Sequence, residues 1–415
     1  MKLKHSLYAL ILLLSITTYS QDGSPSPYSY FGLGDTSFKG TTEYISMGGI
    51  NSYTDSLHYN INSPASLSRL KYVTLNIGMS NRFISMEDNN EKVNASSHNI
   101  SYFALGLPIG KKAGLGFGIL PETSSNFKIY KEENTGIYTY EGFGGLSRLF
   151  IAASYKLNDN LSFGVEFQHH FGYLRQENIW IPEGSSTYTR EDNNEDLSAS
   201  TVKLSGLFTY PLKNKKYISA NLDYQIGQNL DAHYTGSIRL IRVTPSGREL
   251  VVSRIDKAEE DGKVSLPAVV DAGVGIGEKN KWFAGAGFTY VGLKGFKNEF
   301  MDPSYVQYND AYTYHIGGMY TPEYNSITGY WKKISFRGGA YYKQTGLTIY
   351  GEEIKDFGIT FGLGLPSLKA LSNLNLGFEL GTRGTTNNNL VKENYFNLHV
   401  SFSLNDIWFI KRKIN

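Results

Sequence analysis

The sequence predicts an all-β protein: a transmembrane antiparallel β-barrel of about fourteen strands with an N-terminal hatch in its lumen. Three observations carry the prediction. A period-2 hydrophobic pattern recurs along most of the chain, the composition is rich in aromatics and glycine, and the connections between patterned segments alternate in length.

The first element is an export signal. Lys2 and Lys4 precede an apolar run from Leu7 to Ile16, and Thr17, Thr18, Tyr19 and Ser20 follow before Gln21. This is the layout of a secretory signal peptide cut near Ser20, so residues 1–20 are expected to leave the mature chain. The run is too short to cross a bilayer as a helix, and no later stretch is longer. Loss of Lys2 and Lys4 takes the formal charge from +2 to 0, which gives no reason to expect nucleic acid as a partner. The absence of cysteine excludes a lipid-anchored thiol, a disulfide framework and a thiolate metal site.

Residues 21–70 form the second element. SPSPYSYFGLGD, the Met47-Gly48-Gly49 turn and the stretch from His58 to Leu70 show no sustained alternation and are broken repeatedly by Gly and Pro. A compact irregular region is expected, with one helical turn near Ala65–Leu70.

From Tyr72 onward alternation dominates. Val73, Leu75, Ile77 and Met79 alternate with Thr74, Asn76, Gly78 and Ser80, and Leu161, Phe163, Val165 and Phe167 alternate with Ser162, Gly164, Glu166 and Gln168. The closing stretch repeats it, with Phe396, Leu398, Val400, Phe402 and Leu404 on one face and Asn397, His399, Ser401 and Ser403 on the other. A strand sends successive side chains to opposite faces, so each such segment has one greasy and one wet side. Trp408 and Phe409, followed by Lys411, Arg412 and Lys413, suit a strand ending at a membrane interface. Strands are expected near 72–86, 97–107, 113–130, 137–156, 160–176, 198–210, 216–228, 266–277, 281–293, 311–321, 332–343, 346–365, 373–383 and 394–404. The 44 Gly, 31 Tyr and 23 Phe fit such strands and their turns, and a mean hydropathy of −0.31 fits a wall wetted on one face.

The connections sort into two sets. PIGKKAG, LNDN, PLKNKK, GEKNK and LPSLKALSN are short, whereas 177–197, 229–265 and 294–310 are long and polar. Short turns on one side and long loops on the other are the habit of outer-membrane barrels. Hydrocarbon offers no partner for backbone N–H and C=O, so an all-strand wall must close on itself. A fourteen-stranded lumen is too wide for wall side chains to fill, which makes residues 21–70 a candidate plug. A periplasmic tail or a disordered leader is the alternative.

SPYSYFGLGD, Met47-Gly48-Gly49, NSPAS at Asn62–Ser66 and the closing strand with WFIKRK together resemble the FadL/TodX-type outer-membrane transport family. The resemblance spans the mature chain, with Ser63 interposed in a motif that is usually Asn-Pro-Ala. It implies a barrel over residues 71–415, a lumenal hatch over 21–70, and passive uptake of hydrophobic molecules such as long-chain fatty acids or hydrocarbons through a lateral opening. It equally admits a non-transporting barrel that plugs or accompanies a type IX secretion channel. The implied partners are therefore outer-membrane lipid and either a hydrophobic small molecule or a larger secretion-channel protein.

Candidate functional residues follow. Gly48, Gly49, Asn62, Pro64 and Ala65 are the hatch motifs, with the Asn62 amide bonded either to the wall or within an Asx-Pro turn. Gly116, Gly118 and Pro121 either kink the third strand inward to open the wall or simply end it. Glu166, Lys203, Asp223, Asp271, Arg337, Glu379 and His399 face the lumen, as hatch clamps or as an ordinary wetted interior. No catalytic, metal-ligating or cofactor-binding constellation stands out: His169 and His170 are adjacent and so point to opposite faces, and the glycines of GVGIGEKN precede no helix. The expectation is a non-enzyme.

Overall fold

Fourteen antiparallel strands close into a barrel. The computed structural model describes residues 25–301, 303–327, 329–367 and 372–406. The export signal at 1–20 and the terminal Trp408, Phe409, Lys411, Arg412 and Lys413 lie outside them.

The wall consists of β1 (Val73–Glu87), β2 (Lys92–Ile109), β3 (Ala113–Pro121, resuming as Thr123–Glu133), β4 (Gly136–Lys156), β5 (Leu161–Pro182), β6 (Thr187–Pro211), β7 (Lys216–Gln225, resuming as Gln228–Val243), β8 (Glu260–Leu266, resuming as Val269–Glu278), β9 (Trp282–Val291), β10 (Ala311–Tyr320), β11 (Ser335–Ile349), β12 (Glu352–Pro366), β13 (Asn373–Arg383) and β14 (Lys392–Asp406). The ring closes where β14 pairs with β1 from Asp406↔Val73 to Lys392↔Glu87. Closure removes the sheet edges that lipid cannot satisfy. No helix among the described residues is long and apolar enough to cross a membrane.

Alternation sorts the two faces. On β5, Phe163, Val165 and Phe167 point outward at 50% exposure each, while Ser162, Glu166 and Gln168 are fully buried in the interior. Residues 25–72 occupy that interior: Met47 abuts Gly317 of β10 and Gly339 of β11, while Leu67 abuts Gly114 of β3 on another part of the ring. Tyr44, Met47, Ile50, Ile61, Ala65 and Leu67 are buried to within 1%. Burying each of the larger ones contributes roughly 1.5–3 kcal/mol, so this segment packs as a core and not as a loose tail.

Two expectations need correction. Residues 177–197 and 229–265 are not long loops. β5 and β6 stay paired through Trp180↔Thr189, β7 continues to Val243, and an additional strand, Glu249–Asp256, pairs back onto it. Several connections at this end of the barrel are tight, at 88–91, 134–135, 183–186 and 350–351. A strand that rises beyond the lipid is wet on both faces, so its hydrophobic alternation fades although its ladder persists. The second correction is the β11–β12 turn, which lies at Tyr350–Gly351 (φ 48° and 83°) and not at 344–345. The register slip between Gln344 and Thr348 marks an irregularity inside a continuing strand.

Candidate functional site: a filled lumen and an interrupted wall

Two glycine-lined seats hold the interior segment. The first receives Met47-Gly48-Gly49 after the short helix Thr42–Ile45. Gly48 and Gly49 adopt φ of 73° and 88°, which a side chain would strain, and a Cβ on Gly48 would meet Ile316 O at 2.6 Å and Ala340 O at 2.8 Å. The Gly48 amide donates to Thr360 Oγ1 at 3.0 Å, and its carbonyl lies 2.6 Å from His315 Nδ1. The second seat receives the 3₁₀ turn Pro64–Arg69, where a Cβ on Gly164 would strike Pro64 and Ala65.

The Asn62 amide does not reach the wall; it donates to Lys39 O at 3.1 Å and ties the segment to itself. Wall contact falls to its neighbours. Ser63 Oγ lies 3.2 Å from Ser205 Oγ, and the Ala65 amide donates to the same hydroxyl at 3.0 Å. The interposed serine is thus a contact in its own right.

The inward polar residues form chains that reach the segment. Ser205 donates to Asp223, Asn221 donates to Asp223 and Asp271 at 2.7 and 2.8 Å, Thr289 donates to Asp271 at 2.7 Å, and Thr289 Oγ1 lies 3.1 Å from His315 Nε2. One run of hydrogen bonds therefore joins the Ser63–Ala65 seat to the Gly48 seat across five strands. Elsewhere, Arg337 donates to Asn375 at 3.0 Å and Asn375 to Glu43 at 2.7 Å. Glu379 accepts from Lys39 at 2.8 Å, Tyr341 at 2.5 Å and Asn397 at 2.9 Å, with His399 Nε2 at 3.3 Å. Glu166 accepts from Gln168 at 2.6 Å.

The third strand is interrupted at Glu122. Gly116 and Gly118 lie within its uninterrupted part: Gly116 makes room for Tyr59 and Leu67 of the segment, and Gly118 lies beneath Phe150. The ladder between β2 and β3 ends at Phe103↔Ile119, whereas β3 stays paired with β4 on both sides of the break. Among the described residues, 92–102 of β2 have ladder partners on β1 alone. On the side of β3 that β2 leaves, Asp35 and Thr36 pair with Ser124 and Thr123, and Pro25 bridges to Asn126. Glu122 itself turns inward, 3.4 Å from Arg148 and 2.5 Å from His170 Nδ1. His169 points the other way and stacks on Phe171.

Residues 25–39 run along this break as a strap. Asp35 takes Arg383 at 2.6 Å and Arg82 at 3.1 Å, and Ser26 donates to Glu393 at 2.5 Å. Burial raises the Asp35 pKa, but the two guanidinium groups outweigh it and hold the carboxyl well below its usual range. Sequence reasoning missed this cluster, because no local pattern singles out Arg82, Arg383 or Glu393 or pairs them with Asp35. Beside the strap is a cavity of about 300 Å³. Lys39, Arg148, Lys203 and Lys343 face it together with Glu122, Asp271, Asp356 and Glu379, alongside apolar Leu33, Phe38, Ile45 and Leu266. Among the described residues, no cluster of three or more His, Cys, Asp or Glu side chains is arranged to hold a metal.

A family model named BamG matches residues 2–415. The chain belongs to the BamG family. No curated protein matches it. Solved structures similar to this BamG-family chain include the toluene transporter TodX of P. putida, at 17% identity and a TM-score of 0.59 over 89% of this chain and 99% of that one. The Ralstonia pickettii toluene transporter TbuX gives 14% and 0.58 over 88% and 98%, and a Pseudomonas aeruginosa FadL homologue gives 12% and 0.55 over 92% and 99%. At these identities the likeness is one of fold, and it extends over nearly the whole of each barrel.

Proposed function

We propose that this BamG-family chain works in the outer membrane as a closed FadL-type barrel that admits hydrophobic small molecules, long-chain fatty acids or hydrocarbons, with residues 21–70 as its hatch. The observation that carries this reading is the parting of β2 from β3 beyond Phe103 and Ile119, with the strap in the vacated position. Glu122, Thr123, Thr36 and Lys39 line both the break and the cavity, so displacing the strap would join one to the other. A molecule leaving by that route enters lipid and avoids crossing water. The similarity in fold to toluene transporters agrees with it. Purification in mild detergent followed by mass spectrometry of the organic extract tests the reading: a bound fatty acid or alkane supports it, and a ligand-free barrel argues against it.

A second reading, a non-transporting barrel that accompanies a larger protein-secretion channel, is favoured by a different observation. The wall formed by β4–β8 rises far above any lipid band: β6 alone has 25 residues, where a bilayer needs about 9–11 per strand.

A further inference from the structure

We propose that the lumenal cavity beside the strap binds a straight-chain carboxylate of about eight carbons, its head group held by Lys203 and Gln225; this rests on the uptake reading and narrows it. Lys203 and Gln225 are ladder partners on β6 and β7, and both line the cavity. They are 7% and 5% exposed, and among the described residues neither side chain has a hydrogen-bond partner or an ion pair within 4 Å. Glu166, the neighbour of Lys203 on β5, accepts from Gln168 at 2.6 Å and lies beyond ion-pair distance of the amine. A buried ammonium costs free energy until an acceptor pairs with it. An amine and a carboxamide side by side offer N–H donors from two strands, and a carboxylate set between them accepts from both.

The register places the tail. From Gln225 the same ladder row passes to Val269 on β8 and Val291 on β9, and both valines line the cavity. Leu33 and Leu266, members of one apolar cluster, line it too. A polar head at Lys203 and Gln225 therefore continues directly into an aliphatic bed. The other charges facing the cavity are already engaged. Lys39 is held by Glu379 at 2.8 Å and Arg148 by Glu122 at 3.4 Å, while Asp271 accepts from Asn221 and Thr289, and Asp356 from Tyr395 at 2.5 Å. Lys343, on β11, is flanked in its row by Thr313 and Asp356, which give a tail no apolar surface. Size sets the chain length. The cavity holds about 300 Å³. A water takes about 30 Å³ of liquid and a methylene nearly as much, so the space suits on the order of ten non-hydrogen atoms. Octanoate has that size; a long-chain fatty acid does not fit without displacing the strap, and a neutral hydrocarbon leaves the ammonium unpaired.

Equilibrium dialysis of radiolabelled octanoate, 1-octanol and palmitate against the full barrel in lipid nanodiscs tests this, with protein-free discs subtracted. Octanoate is expected to bind saturably at one site, at least tenfold more tightly than 1-octanol or palmitate. Lys203→Gln is expected to weaken octanoate by at least about tenfold, the worth of a charged hydrogen bond, and to leave 1-octanol unchanged. Lys203→Arg is expected to retain octanoate binding, and Lys111→Gln, on an exposed turn, to match the parent chain. Each variant is scored only with its folded gel shift intact, so a loss of binding is not a loss of fold. Equal affinity for octanoate and 1-octanol, or octanoate binding that ignores Lys203→Gln, overturns the head-group site. Palmitate binding as tightly as octanoate overturns the length limit. In both cases a saturable hydrophobic ligand leaves the uptake reading standing. A folded barrel that binds none of the three probes rejects the uptake reading together with this site.

Discussion

Arg383 and Asp35 are 348 residues apart in sequence and 2.6 Å apart in the lumen. Through that pair the end of β13 holds the strap, and the strap occupies the place beside β3 that β2 has left. Arg82 and Glu393 complete the cluster.

Asp35→Asn should loosen the strap without unfolding the barrel. Arg383 keeps Glu393 at 2.7 Å, so the loss is confined to the strap's side of the cluster. Removing a charged hydrogen-bond partner costs about 2–3 kcal/mol. Amides of residues 27–36 should then exchange with solvent about 30–150-fold faster, from ~1.4 kcal/mol per tenfold, while those of Tyr44–Leu67 stay protected. Uniform acceleration across both segments would mean that the pair holds the whole interior segment.

Cross-linking distinguishes the strap from the seats. Thr36 and Thr123 are ladder partners, and antiparallel partners lie about 4.5–5.5 Å apart at Cα, within disulfide range. Oxidised Thr36→Cys, Thr123→Cys should block hydrophobic uptake, with recovery on reduction. Oxidised Ser63→Cys, Ser205→Cys should leave uptake intact, because that seat stays closed. Uptake that ignores the first lock removes the strap from the route.

Gly48→Ala should destabilise far more than a turn glycine does. Gly110 has φ 64° and open space around a Cβ, so its substitution costs only the left-handed strain, about 1–2 kcal/mol. Gly48 adds collisions with the Ile316 and Ala340 carbonyls. The temperature at which the folded gel band is lost should fall clearly for Gly48→Ala and barely for Gly110→Ala.

The His58–Asp55 pair, at 2.6 Å, gives the segment a pH window. Burial opposes the charge on both groups, but His58 outweighs it at Asp55, lowering that pKa to about 2, and Asp55 raises that of His58. The lowered carboxyl stabilises fully above its unfolded value of about 3.9, a contribution lost as pH falls toward 2. The raised histidine stabilises fully below about 6.5, a contribution lost as pH rises through its folded value. The protection factors of residues 55–60, that is, exchange corrected for its intrinsic pH dependence, should be highest between about pH 4 and 6.5 and should fall on either side. His58→Gln should flatten the upper limb.

Much of the wall is readable in the sequence. Phe163, Val165 and Phe167 announce an outward face because lipid on one side and a wet interior on the other impose opposite chemistries on neighbouring residues. Where that contrast ends, legibility ends too: Glu191, Asp192 and Asn193 look like a loop although they stand in a ladder. The motif residues Gly48, Gly49, Pro64 and Ala65 are recognisable as special, but the Asn62 amide turns to Lys39, 23 residues away, and neither to the wall nor to its own turn, a partner that only the packed segment brings within reach.

The sequence by itself determined a closed, half-greasy wall, since period-2 alternation is local and each residue reports its own solvent. Only the tertiary structure decided which charges meet, where β3 leaves β2, and what fills the bore. Those are relations between residues hundreds of positions apart, such as Asp35 with Arg383 or Gly48 with His315, and no local pattern encodes which partner a closing ring will bring round.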